Sequence, residues 1–175
     1  MAIHRLNHAV LFVRELERSV AFYRDVLGFT PIEPLTMRGA AFLRAAGWSN
    51  DHDLGLFEIG AAAGPSGAGR TTVGLYHLAW EVDTLRDLET IAAALSEAGA
   101  LVGASDHSTT KSLYGSDPDG LEFEVAWVVP ADRIDDSVLA GRTSIRPLDL
   151  AREIERYGAD RPGGIGISRQ AVPAR

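Results

Sequence analysis

The chain repeats one order of apolar patterns, and this repetition constrains the fold more than any other feature. NHAVLFV (7–13) and YHLAWEV (76–82) read as strands, each with a histidine near its start, and these histidines, His8 and His77, stand 69 residues apart. A segment of helical spacing that ends at a glycine follows each strand. One module of this size is too small to bury a sheet face alone. We therefore expect two modules that pair around a shared concave surface, with a functional cleft between them.

The remaining patterns complete an α+β fold with a C-terminal extension. Apolar runs predict strands at 6–13, 40–47, 53–60, 75–82, 100–104 and 121–129, and helical spacing predicts helices over 16–29 and 84–99. We predict one domain over 1–130, with module one at about 5–60 and module two at about 74–130, joined by the Gly-rich stretch 61–72. The extension 131–175 contains a predicted short helix at 147–158 and a mobile end, and we expect it to cover the cleft mouth or to contact a second subunit.

Composition narrows the class of ligand. The net charge is -7 and the 17 Lys and Arg residues form no long run, which argues against nucleic-acid binding. No stretch approaches the roughly 18 apolar residues that a membrane span requires, so we predict a soluble, cytoplasmic protein without membrane contact. Because the chain has no cysteine, disulfides, thiolate metal sites and a cysteine nucleophile are excluded. A small-molecule ligand fits best.

One carboxylate lies in an unusual sequence context. Glu124 lies within the apolar strand pattern LEFEV (121–125), where a charge is costly unless it is paired or binds a cation. If the modules are related by a pseudo-twofold axis, His8 and His77 converge across the cleft and Glu124 can join them. Two imidazoles and one carboxylate form the facial triad that leaves positions open on Fe(II). The alternative is that Glu124 faces solvent on an edge strand.

The residues before Glu124 predict a tight turn. In DPDG (117–120), Pro118 fixes φ and Gly120 closes the bend. Because side chains alternate along a strand, a slip of one residue would exchange Glu124 for Phe123 or Val125. The turn therefore helps to place the carboxylate of the predicted metal site.

Three segments together resemble the vicinal oxygen chelate superfamily: NHAVLFVRELERSVAFYRDVLGF (7–29), YHLAWEV (76–82) and YGSDPDGLEFEV (114–125). This superfamily includes glyoxalase I, bleomycin-resistance proteins and extradiol ring-cleaving dioxygenases. The resemblance covers residues 5 to about 130 and implies two paired βαβββ modules that form a concave mixed sheet around a central metal-binding cleft. The resemblance does not by itself indicate which reaction the protein catalyses.

Further residues are similar to the extradiol branch. The resemblance implies that His52, followed by Asp53, acts as acid and base, and that Tyr114, ten residues before Glu124, binds a substrate oxygen. A further histidine precedes that tyrosine in the family, and His107 fills this position; the resemblance implies that it holds or polarises the substrate oxygens together with Tyr114. His52 could instead be a loop histidine, His107 part of a solvated turn, and Tyr114 a half-buried strand aromatic.

The implied activity is ring cleavage of a small aromatic diol by O2. The metal ligands are His8, His77 and Glu124, and the metal is Fe(II), with Mn(II), Zn(II) or Ni(II) as alternatives. The resemblance also implies a homodimer.

Two other functions are compatible with the sequence. FEI (57–59) is similar to FEV (123–125), so Glu58 could occupy the place of Glu124 in module one and serve as a fourth ligand, as in glyoxalase I. A bleomycin-resistance type of protein, which binds a ligand without turnover, is the third hypothesis.

Overall fold

A computed structural model describes residues 3, 5–33, 37–47, 50–68 and 71–164. The chain divides into two compact units: Met1–Thr72 with Asp117–Leu121, and Val73–Ser116 with Glu122–Arg175. Each unit contains one mixed sheet, which confirms the predicted α+β class. The turn before Glu124 belongs to the first unit, although the strands on either side of it belong to the second.

The first unit is a βαβββ module. Its elements are β1 Ala9–Val13, α1 Leu16–Asp25, β2 Thr30–Pro31, β3 Ala40–Arg44 and β4 Leu54–Glu58. The strand order is β1-β4-β3-β2, with β1 parallel to β4 and the other pairs antiparallel. Alternate residues of β1 are buried, so the sheet has one core face, to which Leu11, Val13, Leu43, Leu54 and Leu56 contribute. Helix α1 contacts β3 and β4 and buries Tyr23.

The second unit repeats the βαβββ order and adds the C-terminal extension. Its elements are β5 Leu78–Glu81, α2 Leu85–Glu97, β6 Leu101–Asp106, β7 Thr110–Ser116, β8 Glu122–Val128, a 3-10 turn Ala131–Arg133, α3 Asp136–Gly141, β9 Arg146–Pro147 and α4 Leu150–Tyr157. The strand order is β5-β8-β7-β6-β9, and β5 is parallel to β8. Strands β1 and β5 begin 69 residues apart, as the repeat in the sequence requires.

The predicted helices form close to the expected bounds. Helix α2 begins with a capping box between Thr84 and Asp87, in which each side chain bonds the other residue's backbone N–H. It ends before Gly99, whose φ of 65° is in the left-handed region that glycine tolerates best. No helix in the described part of the chain is long and apolar enough to cross a membrane.

Strand β7 was not predicted from the sequence, because its polar start is typical of a solvated turn. In the structure Lys111 is 1% exposed, and its Nζ lies 2.5 Å from Oδ1 of Asp106 and 2.9 Å from Oε2 of Glu153. The ammonium is buried with two carboxylates, which offsets its desolvation.

Glu153 belongs to α4, so the extension supplies part of this buried ion cluster. Strand β9 adds Arg146, whose Nη2 lies 2.9 Å from Oδ2 of Asp106. The extension therefore packs as part of the second unit through residue 164. Its predicted mobile end, at 165–175, lies outside the described residues.

Removing Glu153 should destabilise the fold. We expect Glu153→Ala to lower the free energy of unfolding by about 3 kcal/mol, because one partner of a buried ion pair is lost and Lys111 is left partly uncompensated. Urea denaturation measures this change. The control is Glu155→Ala on the exposed side of α4, which should stay within about 0.5 kcal/mol of wild type. Equal effects for the two variants would contradict the structural role of the cluster.

Candidate active site

Two predicted ligands meet in the second unit. His77 directly precedes β5, and Glu124 lies on the adjacent parallel strand β8, opposite Ala79. Nε2 of His77 lies 3.1 Å from Oε2 of Glu124, and the two side chains are 25% and 14% exposed. The apolar strand thus holds its carboxylate against an imidazole, as a costly buried charge requires.

This pair fits a divalent cation. Imidazole and carboxylate donors suit Fe, Mn and Zn ions. Two ligand atoms that each lie about 2.1 Å from a metal, at a right angle, are about 3.0 Å apart, close to the separation of these two donor atoms. Neither unit brings three or more His, Asp or Glu side chains together as a metal site within the described residues. The second unit therefore supplies two of the three predicted ligands.

Tyr114 and His107 lie beside the pair. The register of β7 and β8 places Tyr114 directly opposite Glu124, and its ring centre is 6.0 Å from that of His77. Its Oη lies 2.8 Å from Nε2 of His107, a hydrogen-bond distance. Burial raises the pKa of Tyr114, and the charge of Glu124 adds to this effect. Four of the six predicted site residues thus form one cluster.

One aromatic side chain of this cluster was missed in the sequence. Tyr76 is 68% exposed, and its ring centre lies 4.7 Å from that of His77. The only signal in the sequence was its place directly before His77, a predicted ligand, but aromatic residues at strand starts are common and carry little functional information.

The other two predicted residues, His8 and His52, lie together in the first unit. Their ring centres are 4.5 Å apart. Nδ1 of His8 lies 2.7 Å from Oδ1 of Asn7, an acceptor, and this contact matches the tautomer that has its hydrogen on Nδ1 and the lone pair on Nε2. That tautomer is the one a metal ligand requires. The convergence of His8 with His77 and Glu124 stays a prediction.

His52 is oriented in the same way by a carboxylate. Its Nδ1 lies 2.9 Å from Oδ2 of Asp51, which leaves Nε2 as the proton-accepting atom. Phe42 packs edge-on to the ring at 5.0 Å. The neighbour highlighted in the sequence, Asp53, has a structural role, because its buried carboxylate accepts hydrogen bonds from the backbone N–H of Ala45 and from the side chain of Asn50. Asp53 therefore holds the loop before β4.

The equivalence of Glu58 and Glu124 is wrong. Ala9 pairs with Leu54 in the first sheet and Leu78 pairs with Phe123 in the second, so the residue of module one that matches Glu124 is Gly55. Glu58 lies three residues further along β4, an odd offset that turns its side chain to the other face.

Glu58 caps a helix instead. Its Oε2 accepts a hydrogen bond from the backbone N–H of Leu16 at 2.8 Å, at the start of α1. The N-cap residue, Glu15, makes no side-chain cap hydrogen bond. Glu58 therefore supplies the acceptor and the negative charge that a helix N-terminus favours.

Asp117 organises the turn that leads into β8. Its Oδ1 accepts hydrogen bonds from the backbone N–H groups of Asp119 and Leu121, at 2.9 and 2.8 Å, and its Oδ2 accepts from the hydroxyl of Tyr23 at 3.2 Å. Burial raises the pKa of Asp117, although these hydrogen bonds oppose the shift. Gly120, with φ of 82°, allows the bend.

The raised pKa gives a pH prediction for Asp117→Asn. The folded protein binds the Asp117 proton more tightly than the unfolded chain, whose pKa is about 3.9. The stability contributed by this group is therefore complete below about pH 3.9 and is lost as pH rises through the folded pKa. The asparagine can keep both backbone hydrogen bonds at its Oδ1 without ionising, and its Nδ2 can donate to the Tyr23 hydroxyl in place of accepting from it. We expect the Tm of the variant minus that of wild type to increase from pH 4 to pH 7.

The matched control for this series is Glu89→Gln, an exposed site on α2. Its Tm difference from wild type should stay constant over the same pH range. A constant or decreasing difference for Asp117→Asn would contradict the raised pKa.

Comparison with known proteins identifies the family. The sequence profile of the Glyoxalase/Bleomycin resistance protein/Dioxygenase superfamily matches residues 5–125. The chain belongs to this superfamily. The resemblance of the sequence to the vicinal oxygen chelate proteins is thereby confirmed.

Two dioxygenases are similar in sequence to this chain. The chain is 34% identical over 120 residues to a catechol-2,3-dioxygenase of Bacillus subtilis (strain 168), covering 69% of this chain and 40% of that protein. It is 30% identical over 132 residues to a manganese-dependent 2,3-dihydroxybiphenyl 1,2-dioxygenase of Geobacillus genomosp. 3, covering 73% and 38% respectively. The chain spans about two fifths of the length of these relatives.

Solved structures of the superfamily share the fold. A glyoxylase/bleomycin resistance protein/dioxygenase domain from Frankia sp. EAN1pec has a TM-score of 0.56 at 23% identity, covering 71% of this chain and 92% of that chain. A lactoylglutathione lyase from Agrobacterium tumefaciens has a TM-score of 0.52 at 19% identity, with coverages of 72% and 95%. These structural similarities support the fold, but they do not show which activity the protein has.

Proposed function

We propose that this protein is a metal-dependent extradiol dioxygenase that inserts O2 into the ring of a catechol-like substrate. The observation that carries the proposal is the hydrogen-bonded pair of His107 and Tyr114 beside His77 and Glu124. A tyrosine with a histidine partner provides a donor and a proton relay for a phenolic substrate. The names of the two curated relatives, both dioxygenases of aromatic diols, agree with this chemistry.

In this proposal His8, His77 and Glu124 hold the metal, which is Fe(II) or, as the name of one relative suggests, Mn(II). When bound, such a metal orients the two vicinal oxygens of the diol with O2 and carries electrons between them. The contact of His8 Nδ1 with Asn7, which leaves Nε2 for a metal, and the facing donor atoms of His77 and Glu124 are suited to this role. The working form is a homodimer that takes part in the breakdown of aromatic compounds.

In this proposal, side chains of the protein transfer the protons. Tyr114 donates its hydroxyl hydrogen to a substrate oxygen, and Nε2 of His107, 2.8 Å from that hydroxyl, donates to Oη and replaces the proton when it is transferred. His52 takes a proton from the substrate at Nε2 and later returns it. Asp51 assists by holding the Nδ1 proton, because an imidazole with one nitrogen committed to a carboxylate presents the other as a base.

The glyoxalase I alternative needs Glu58 as a fourth ligand. Its carboxylate bonds the N-terminus of α1 and leaves the matching position of module one to a glycine, so the described contacts do not favour that reaction.

Oxygen consumption tests the proposal directly. The protein is purified anaerobically, reconstituted with Fe(II) or Mn(II), and mixed with a panel of catechols in an oxygen electrode. We expect oxygen uptake that requires both metal and catechol, with both atoms of 18O2 in the ring-opened product. Metal binding without uptake across the panel would overturn the proposal and favour a ligand-binding protein.

Two substitutions separate ring cleavage from the isomerase alternative. We expect Tyr114→Phe to lower kcat for ring cleavage roughly 100-fold, since it removes one hydrogen-bond donor to a substrate oxygen. Glu58→Gln should leave kcat within about twofold of wild type and reduce only thermal stability, because its carboxylate caps a helix. Loss of activity and of bound metal in Glu58→Gln would reinstate the fourth-ligand hypothesis.

A further inference from the structure

We propose that Arg14 and Tyr23 are positioning residues for the Glu124 carboxylate, because they hold the turn that sets the register of the strand on which it lies. This inference rests on the proposed role of Glu124 as a metal ligand. Neither Arg14 nor Tyr23 is close to Glu124 in sequence, and both act through the turn Asp117–Leu121, which packs in the first unit.

Arg14 bonds the middle residue of the turn, Asp119, through two hydrogen bonds. Its backbone N–H donates to Oδ2 of Asp119, and its Nη1 donates to Oδ1, both at 2.8 Å. Its Nε donates to the carbonyl of Ala63 at 3.0 Å. The Asp119 side chain is only 9% exposed, so this contact is shielded from water and is stronger than an open surface pair.

Tyr23 bonds the first residue of the turn, Asp117. Its side chain is 2% exposed and is packed edge-on against Phe29, so the position of its hydroxyl is fixed by the core of the first unit. That hydroxyl donates to Oδ2 of Asp117, whose other oxygen already accepts two backbone N–H groups of the turn. Both carboxylates of the turn are therefore tied to rigid parts of the first unit.

The turn is the connection of the hairpin that carries the site. Ser116 pairs with Glu122 immediately beyond the turn, and Tyr114 pairs with Glu124 two residue pairs further along the strands. A hairpin's register is set by its turn. If the turn relaxes, the hairpin can shift, and Glu124 loses its place opposite Tyr114 and beside His77. A fixed turn thus preorganises the carboxylate for a cation.

Metal binding by the folded protein distinguishes positioning from simple stabilisation. Mn(II) affinity is measured by electron paramagnetic resonance of free Mn(II), at a temperature where thermal unfolding shows every variant to be folded. We expect Arg14→Ala and Tyr23→Phe each to weaken Mn(II) binding about 10-fold, as loss of supporting contacts does at other metal sites. A lowered Tm with unchanged Mn(II) affinity in both variants would overturn the inference.

The matched control is Arg24→Ala, which removes an equal charge from an exposed pair with Asp25 on α1 and should leave Mn(II) affinity unchanged. Asp119→Ala removes the acceptor of both hydrogen bonds, whereas Arg14→Ala keeps the one from the backbone N–H, so Asp119→Ala should weaken binding at least as much as Arg14→Ala. The double variant Arg14→Ala/Asp119→Ala should weaken it no more than Asp119→Ala alone. Fully additive effects would count against an action through Asp119.

Glu124→Gln separates this inference from the proposed function. If Glu124→Gln weakens Mn(II) binding and Arg14→Ala and Tyr23→Phe do not, the positioning role fails and the ligand role stands. If Glu124→Gln leaves Mn(II) affinity unchanged, the ligand role fails, and the inference that depends on it fails as well.

Discussion

The pairing of Glu124 with His77 is the interaction on which the rest of the site depends. A carboxylate that is 14% exposed in a strand of apolar residues is tolerated because an imidazole nitrogen lies 3.1 Å from it. The neighbouring strands then determine what else can reach it: β5 brings the histidine, and β7 brings Tyr114 to the opposite position. The chemistry follows from the register of three strands, so whatever fixes that register contributes to the function.

A second contact reinforces this register. Gly115 pairs with Phe123, and the Phe123 ring occupies the space that a side chain at 115 would need, since a Cβ built there would lie 2.5 Å from the ring. The glycine leaves room for the Phe123 ring on the face opposite Glu124, where Phe123 is 2% exposed. A slip of one residue along β8 would bring the Glu124 carboxylate to this buried face.

The sequence predicted what depends on periodicity and local turn chemistry. The strands that begin at Ala9 and Leu78, the two long helices and the turn before Glu124 follow from apolar spacing, caps and glycine positions, and the structure contains all of them. Strand β7 could not be found in this way, because the burial of Lys111 depends on Asp106 across the hairpin and on Glu153, a carboxylate of the extension that is distant in sequence. Pairing between remote residues leaves no local pattern.

The error over Glu58 has a related cause and explains why the duplicated pattern gives one predicted carboxylate ligand. FEI and FEV look equivalent as strings, but strand pairing matches Gly55 to Glu124. A Cβ at Gly55 would already lie 3.4 Å from the Val10 side chain and 3.5 Å from the Phe42 ring. A carboxylate there would have to fit against these apolar groups. Module one thus has a glycine where module two has Glu124, and its Glu58 caps a helix instead.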